Sequence, residues 1–163
     1  MGRQRNVVFV GPPGVGKTTI IHRLIGSSFS DTCSTTALCV YRFEGEAIDS
    51  NGQFIKTFIW DTPGDDKYSW QADRAAIRAD LIVFVEGSSE RPAFDRDYGD
   101  KRVIKVWNKC DLRGVRLRGG DIIETSALTM ENISILRDII SATSFNDIET
   151  IRDQGREQEA HCC

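Results

Sequence analysis

The sequence predicts an α/β fold: a doubly wound, mostly parallel six-stranded sheet with one antiparallel edge hairpin. Three observations predict it. Short apolar, β-branched runs recur at 6–10, 81–85 and 103–107. Stretches of helical period alternate with such runs, the arrangement of a parallel sheet covered on its faces. The first run also enters a glycine-rich loop and continues into a helical stripe, which is the context a phosphate-wrapping loop requires.

Asn6–Val10 (NVVFV) reads as a buried parallel strand. Thr18–Ile25 carries Ile20, Ile21, Leu24 and Ile25 on one helical face, and Gly26 closes it. Ala37–Phe43 and Phe54–Trp60 are strands bracketing Asn51-Gly52, a hairpin signal. Leu81–Val85 and Val103–Trp107 are two further buried strands, and Ile122–Ile123 begins the last. Leu136, Ile139 and Ile140 mark a C-terminal helix from about Asn132. Only 17 residues separate Val85 from Val103, and 10 separate Asp111 from Ile122. A parallel crossover with a full helix takes a dozen or more, so the third and fourth helices are expected to be shortened. Ligands of such a sheet bind at the carboxyl ends of its strands.

The 163 residues fit one domain over 1–145, with a helical extension and tail over 146–163. A net charge of −3, with both signs scattered, gives no electrostatic reason to expect a nucleic-acid partner. No apolar stretch is long enough to span a bilayer. The N-terminus matches neither a secretory signal nor a myristoylation site, where Asn6 replaces the expected Ser or Thr. The five cysteines lack metal or disulfide spacing, which points to a reducing, cytoplasmic setting.

Gly11–Thr19 (GPPGVGKTT) contains G-x-x-x-x-G-K-T. Gly11, Gly14 and Gly16 let the backbone turn tightly, and Pro12 and Pro13 have no N–H. The donors to phosphate are therefore Gly14, Val15, Gly16, Lys17 and Thr18, with Thr19 in the first helical turn. Lys17 reaches the β- and γ-phosphates, and the Thr18 hydroxyl binds Mg²⁺. The double proline suits an AAA+ ATPase or a nucleotide kinase equally well. The loop fixes phosphates and leaves the base open.

Asn108-Lys109-Cys110-Asp111 follows directly on a buried strand. A carboxylate at Asp111 can accept from guanine N1–H and the N2 amine, two donors that adenine lacks. Asn108 can tie loops together while the Lys109 stem packs on the ring. Downstream, Glu124-Thr125-Ser126-Ala127 offers backbone N–H groups to guanine O6, with Ser126, Ala127 and Leu128 lining the base. With GPPGVGKT, DTPG, NKCD and ETSA in this order, the chain resembles the small Ras-like GTPases over roughly residues 6–142. DTPG and the shortening after NKCD also look like bacterial Era- and TrmE-type domains. An AAA+ module would need an acidic pair where Asp61-Thr62 stands, and a nucleotide kinase would need lid insertions. The nucleotide is therefore read as GTP or GDP with Mg²⁺.

The resemblance implies further roles. Phe29 stacks on the guanine edge. Asp61 holds Mg²⁺ through water, and the Gly64 N–H contacts the γ-phosphate. The switch threonine is Thr36 by ungapped counting, with Thr35 as its rival. Partners (effectors, exchange factors and GTPase-activating proteins) would read residues 30–38 and 61–72, where Trp70 is a candidate anchor or a core residue. The terminal Cys162-Cys163 resembles the doubly prenylated end of Rab proteins, implying attachment to the cytosolic face of a membrane. Arg113, Arg116 and Arg118 read as a solvated loop.

One departure bears on chemistry. Asp65 stands where relatives carry the glutamine that orients the attacking water. A carboxylate offers no amide donor and adds negative charge beside a polyanion. Hydrolysis is expected no faster than roughly 10⁻⁴ s⁻¹, unless Asp65 serves as a general base. The resulting expectation is a slowly hydrolysing switch in membrane traffic or signalling. The rivals are a pseudo-GTPase scaffold that holds GTP without cycling and an Era/TrmE-type domain acting on RNA or ribosomes.

Overall fold

The computed structural model describes residues 3–27, 35–45, 52–87, 92–114 and 121–142. The expectations for Phe29, Asn51, Arg116, Arg118, Cys162 and Cys163 fall outside these residues. The elements run β1 (Gln4–Val10), α1 (Lys17–Leu24), β2 (Cys39–Phe43), β3 (Lys56–Asp61), α2 (Ser69–Ile77), β4 (Leu81–Gly87), β5 (Val103–Asn108), β6 (Ile122–Glu124) and α3 (Ile133–Ser141). They build one six-stranded sheet in the order β2-β3-β1-β4-β5-β6. Among the described strands only the β2–β3 pair is antiparallel; the others are parallel. This is the architecture expected from the sequence, with strand ends shifted by one or two residues.

Two apolar clusters flank the sheet. On one face Ile20, Ile21 and Leu24 of α1 and Leu136, Ile139 and Ile140 of α3 pack on Val7, Phe9 and Val83. On the other, Ala72, Ala75 and Ala76 of α2 meet Val8, Val10, Ile82 and Phe84. Strands buried on both faces read as continuous apolar runs, which is why β1 and β4 were visible in the sequence. Helix α1 ends with Ser27 N–H donating to His22 O (2.8 Å) and Gly26 N–H to Arg23 O (3.3 Å), which satisfies its last carbonyls.

The crossovers are short. Among the described residues no helix lies between β4 and β5, and a single 3-10 turn, Cys110–Leu112, follows β5. In place of a helix, an irregular segment lays Phe94 and Tyr98 edge-on against Phe84, with ring centroids 5.3 and 5.9 Å apart. Edge-to-face contact of this kind covers apolar strand surface with fewer residues than a helix would need.

Candidate functional site

The carboxyl ends of β1, β3 and β5 bring the sequence motifs together. Helix α1 starts at Lys17 directly after Gly16, without a side-chain cap and without an acidic residue in its first turn. Such an end keeps its positive partial charge for an anion. Lys17 is 6% exposed, and its ammonium donates to the carbonyls of Gly11 and Pro12, both at 2.8 Å. Burial lowers its pKa to about 8, opposed by the charge of Asp61. An ammonium has three protons, so these two bonds leave one for a phosphate oxygen.

Asp61, at the end of β3, is buried, and its Oδ2 accepts from the Thr18 hydroxyl at 2.6 Å. Among the described residues its Oδ1 is buried without a hydrogen-bond partner. Burial raises the Asp61 pKa, against the hydrogen bond from Thr18 and the charges of Lys17 and His22. Thr18 Oγ1 also lies 2.8 Å from Thr35 Oγ1. An orphaned carboxylate oxygen beside two hydroxyls is a hard, oxygen-only donor set, which fits Mg²⁺.

Of the two candidate threonines, the described residues bring one to Thr18. Thr35, not Thr36, faces Thr18, and Thr36 is exposed.

Gly64 lies against the phosphate loop. A Cβ there would stand 2.5 Å from Pro13 N and 2.7 Å from Lys17 Nζ, so the close approach requires glycine. Asp65 is exposed and turned to its own backbone: Oδ1 accepts from Lys67 N–H at 3.1 Å, and Lys67 Nζ is 3.7 Å from Oδ2. It caps the 3-10 turn Asp66–Tyr68.

The guanine motifs form a second network. Asn108 is 2% exposed. Its amide donates to Val15 O (2.9 Å), while its Oδ1 accepts from Thr125 Oγ1 (3.0 Å) and Ala127 N–H (3.3 Å). The phosphate loop, the end of β5 and the loop after β6 are thus joined through one side chain. A Cβ on Gly16, which sits at φ 94, would strike Asn108 Nδ2 at 2.4 Å. Lys109 is half-buried at φ 60, a left-handed backbone rare for a lysine. Asp111 is exposed, and its carboxylate accepts from Ser126 Oγ at 2.5 Å. Leu128 is exposed nearby in sequence.

Sequence reasoning missed three contributors. Thr125 is buried and completes the Asn108 network; its place inside ETSA was the available signal. Arg23 of α1 donates to Ala127 O at 2.9 Å. Arg113, expected in a solvated loop, instead folds back on the end of β5, donating to Asn108 O at 2.7 Å and Trp107 O at 3.2 Å. Trp70 is exposed, so of its two expected roles the core one does not hold. It lines a groove of about 430 Å³ with Leu38, Trp60 and Ile77. Gln71 Oε1 accepts from Leu38 N–H at 3.0 Å, which links the threonine segment to α2.

A nucleotide-type phosphate loop, a buried carboxylate beside two hydroxyls and an N-K-x-D loop on one mostly parallel sheet define a P-loop GTPase domain. Comparison with known proteins agrees. A family model described as "Ras of Complex, Roc, domain of DAPkinase" matches residues 6–111. The Ras-related protein YPTC6 of Chlamydomonas reinhardtii is 30% identical over 151 residues, 78% of this chain and 68% of its own. The Ras-related protein Rab-11A of Dictyostelium discoideum is 28% identical over 153 residues, 79% and 70% of the two chains. Among solved structures, Era in complex with MgGDPNP and nucleotides 1506-1542 of 16S ribosomal RNA shares the fold. It has a TM-score of 0.64 at 22% identity, over 86% of this chain and 57% of that one. The chain belongs to the Ras-like P-loop GTPases.

Proposed function

We propose that this domain is a guanine-nucleotide switch that binds GTP and GDP with Mg²⁺ and hydrolyses GTP slowly. One observation carries the guanine assignment. Buried Asn108 ties the phosphate loop to the 125–127 loop, while Asp111, anchored by Ser126, keeps its carboxylate at the solvent edge where a purine would lie. Thr18, Thr35 and Asp61 are the residues that would hold Mg²⁺, and the orphaned Asp61 Oδ1 supports this. When bound, the cation supplies charge neutralisation at the β- and γ-phosphate oxygens.

The chain's own part is positioning. The helix end at Lys17 and the Lys17 ammonium bind the phosphates, the Gly64 N–H meets the γ-phosphate, and water attacks phosphorus in line with the bond to GDP. Asp65 supports slowness. Its carboxylate is bonded to Lys67 N–H and carries no amide donor to orient that water. Thr35 and Leu38 on one side and Gln71 on the other are joined by the Leu38–Gln71 bond, so partners would read both segments, with Trp70 in the groove as an anchor.

The capping geometry of Asp65 also favours a second reading, a scaffold that holds GTP without cycling. Single-turnover hydrolysis of bound GTP, beside Asp65→Gln and Lys17→Ala, separates the two. Conversion over hours in the native protein supports the slow switch. Intact GTP in the native protein with turnover in Asp65→Gln supports the scaffold. Failure of the native protein to bind either guanine nucleotide overturns both.

A further inference from the structure

Arg113 closes the 108–113 segment on itself. Its Nη1 donates to Asn108 O at 2.7 Å and its Nη2 to Trp107 O at 3.2 Å. Its guanidinium carbon lies 3.5 Å from the centre of the Trp107 ring, and Trp107 is buried. Its own N–H donates to Cys110 O at 3.1 Å, so main chain and side chain both fold over the same turn. Lys109, at φ 60, and the exposed Asp111 lie on the turn that these contacts close. A left-handed lysine persists only where surrounding contacts over-determine it. A planar guanidinium that stacks on an indole and serves two successive carbonyls is such a constraint, and an ammonium cannot do both.

We infer that Arg113 is a positioning residue for base selection: it locks the loop so that the Asp111 carboxylate stands where guanine N1–H and the N2 amine are read. The inference rests on the guanine-site reading above. It assigns to this chain a Trp107–Arg113 clip outside the N-K-x-D residues themselves.

The test compares GDP with IDP, whose base lacks the N2 amine, in native protein, Arg113→Ala and Arg113→Lys. Dissociation rates and affinities are read from a fluorescent-ribose analogue and by competition, with the melting temperature followed in parallel. Loss of a bond pair from a charged donor predicts GDP release about tenfold faster in Arg113→Ala, with the GDP-over-IDP preference narrowed by a similar factor. Arg113→Lys should restore less than half of that preference on a logarithmic scale. A merely structural role would lower the melting temperature and weaken GDP and IDP equally, leaving their ratio unchanged; that result overturns the inference. Should Arg113→Ala fail to fold, a GDP-over-IDP ratio in Arg113→Lys equal to the native one overturns it as well. A native protein that binds GDP without preferring it to IDP removes the guanine-site reading itself.

Discussion

Lys17 makes a prediction that joins stability to binding. In the free protein the ammonium is buried, and burial lowers its pKa from 10.5 to about 8. At about 1.4 kcal/mol for each tenfold in proton affinity, keeping it charged at pH 7 costs the fold about 3 kcal/mol. Lys17→Met keeps most of the stem and removes the charge. It forfeits two hydrogen bonds to Gly11 O and Pro12 O, each worth about 1 kcal/mol net, though exposed Pro12 can turn its carbonyl to water. The nucleotide-stripped variant should therefore gain about 1–2 kcal/mol, a rise of about 3–6 °C in melting temperature, and lose nucleotide binding. The pH dependence fixes the cause. The unfolded chain holds this proton more tightly than the native one, so native stability rises with pH between about 8 and 10.5. The variant lacks that rise, and its advantage should shrink over the same window. The assay is thermal unfolding of EDTA-treated protein at pH 7, 8, 9 and 10. A variant that melts at or below the native temperature at pH 7, or an advantage unchanged at pH 10, refutes the reasoning.

Other outcomes follow from single contacts. Asn108→Ala removes a buried side chain that makes three hydrogen bonds; it should cost about 2–4 kcal/mol in chemical denaturation, and release both phosphate and base from their settings. Gly64→Ala puts a methyl 2.5 Å from Pro13 N and 2.7 Å from Lys17 Nζ, so the phosphate loop must shift; stability should fall by about 1–3 kcal/mol and GDP and a non-hydrolysable GTP analogue should both bind more weakly, whereas a variant with native melting temperature and native affinities would contradict the contact. Trp70→Ala alters an exposed residue and should shift stability by less than about 0.5 kcal/mol while weakening any partner captured by the GTP form.

How far these features were legible follows from the kind of signal each leaves. Strands β1, β4 and β5 are buried on both faces, so their apolar runs are unbroken and visible. The four motifs are local in sequence and carry their chemistry in residue type, which is why Lys17, Asp61, Asn108 and Asp111 could be named before any coordinates. Helix α2 left no comparable trace. Its buried face is alanine, at Ala72, Ala75 and Ala76, and alanine contrasts weakly with polar neighbours in a periodicity search. The choice between Thr35 and Thr36 turns on a loop path rather than on spacing: the contact between the Thr18 and Thr35 hydroxyls is a three-dimensional fact that a count along the chain does not carry. The role of Arg113 depends on a fold-back over Trp107, a contact set by loop path rather than by spacing.

The alanine face of α2 has a consequence for motion. Helix α3 is pinned by Ile133, Leu136, Ile139 and Ile140, each buried aliphatic side chain worth about 1.5–3 kcal/mol, whereas the methyls of Ala72, Ala75 and Ala76 contribute about 0.8 kcal/mol apiece. The free energy needed to lift α2 from the sheet is thus several-fold smaller than that needed to detach α3. Amide exchange should register the difference as a hierarchy, with α2 opening well below the global unfolding limit. A helix so lightly moored, beginning five residues after Gly64, can be held or released by about the free energy of one or two hydrogen bonds.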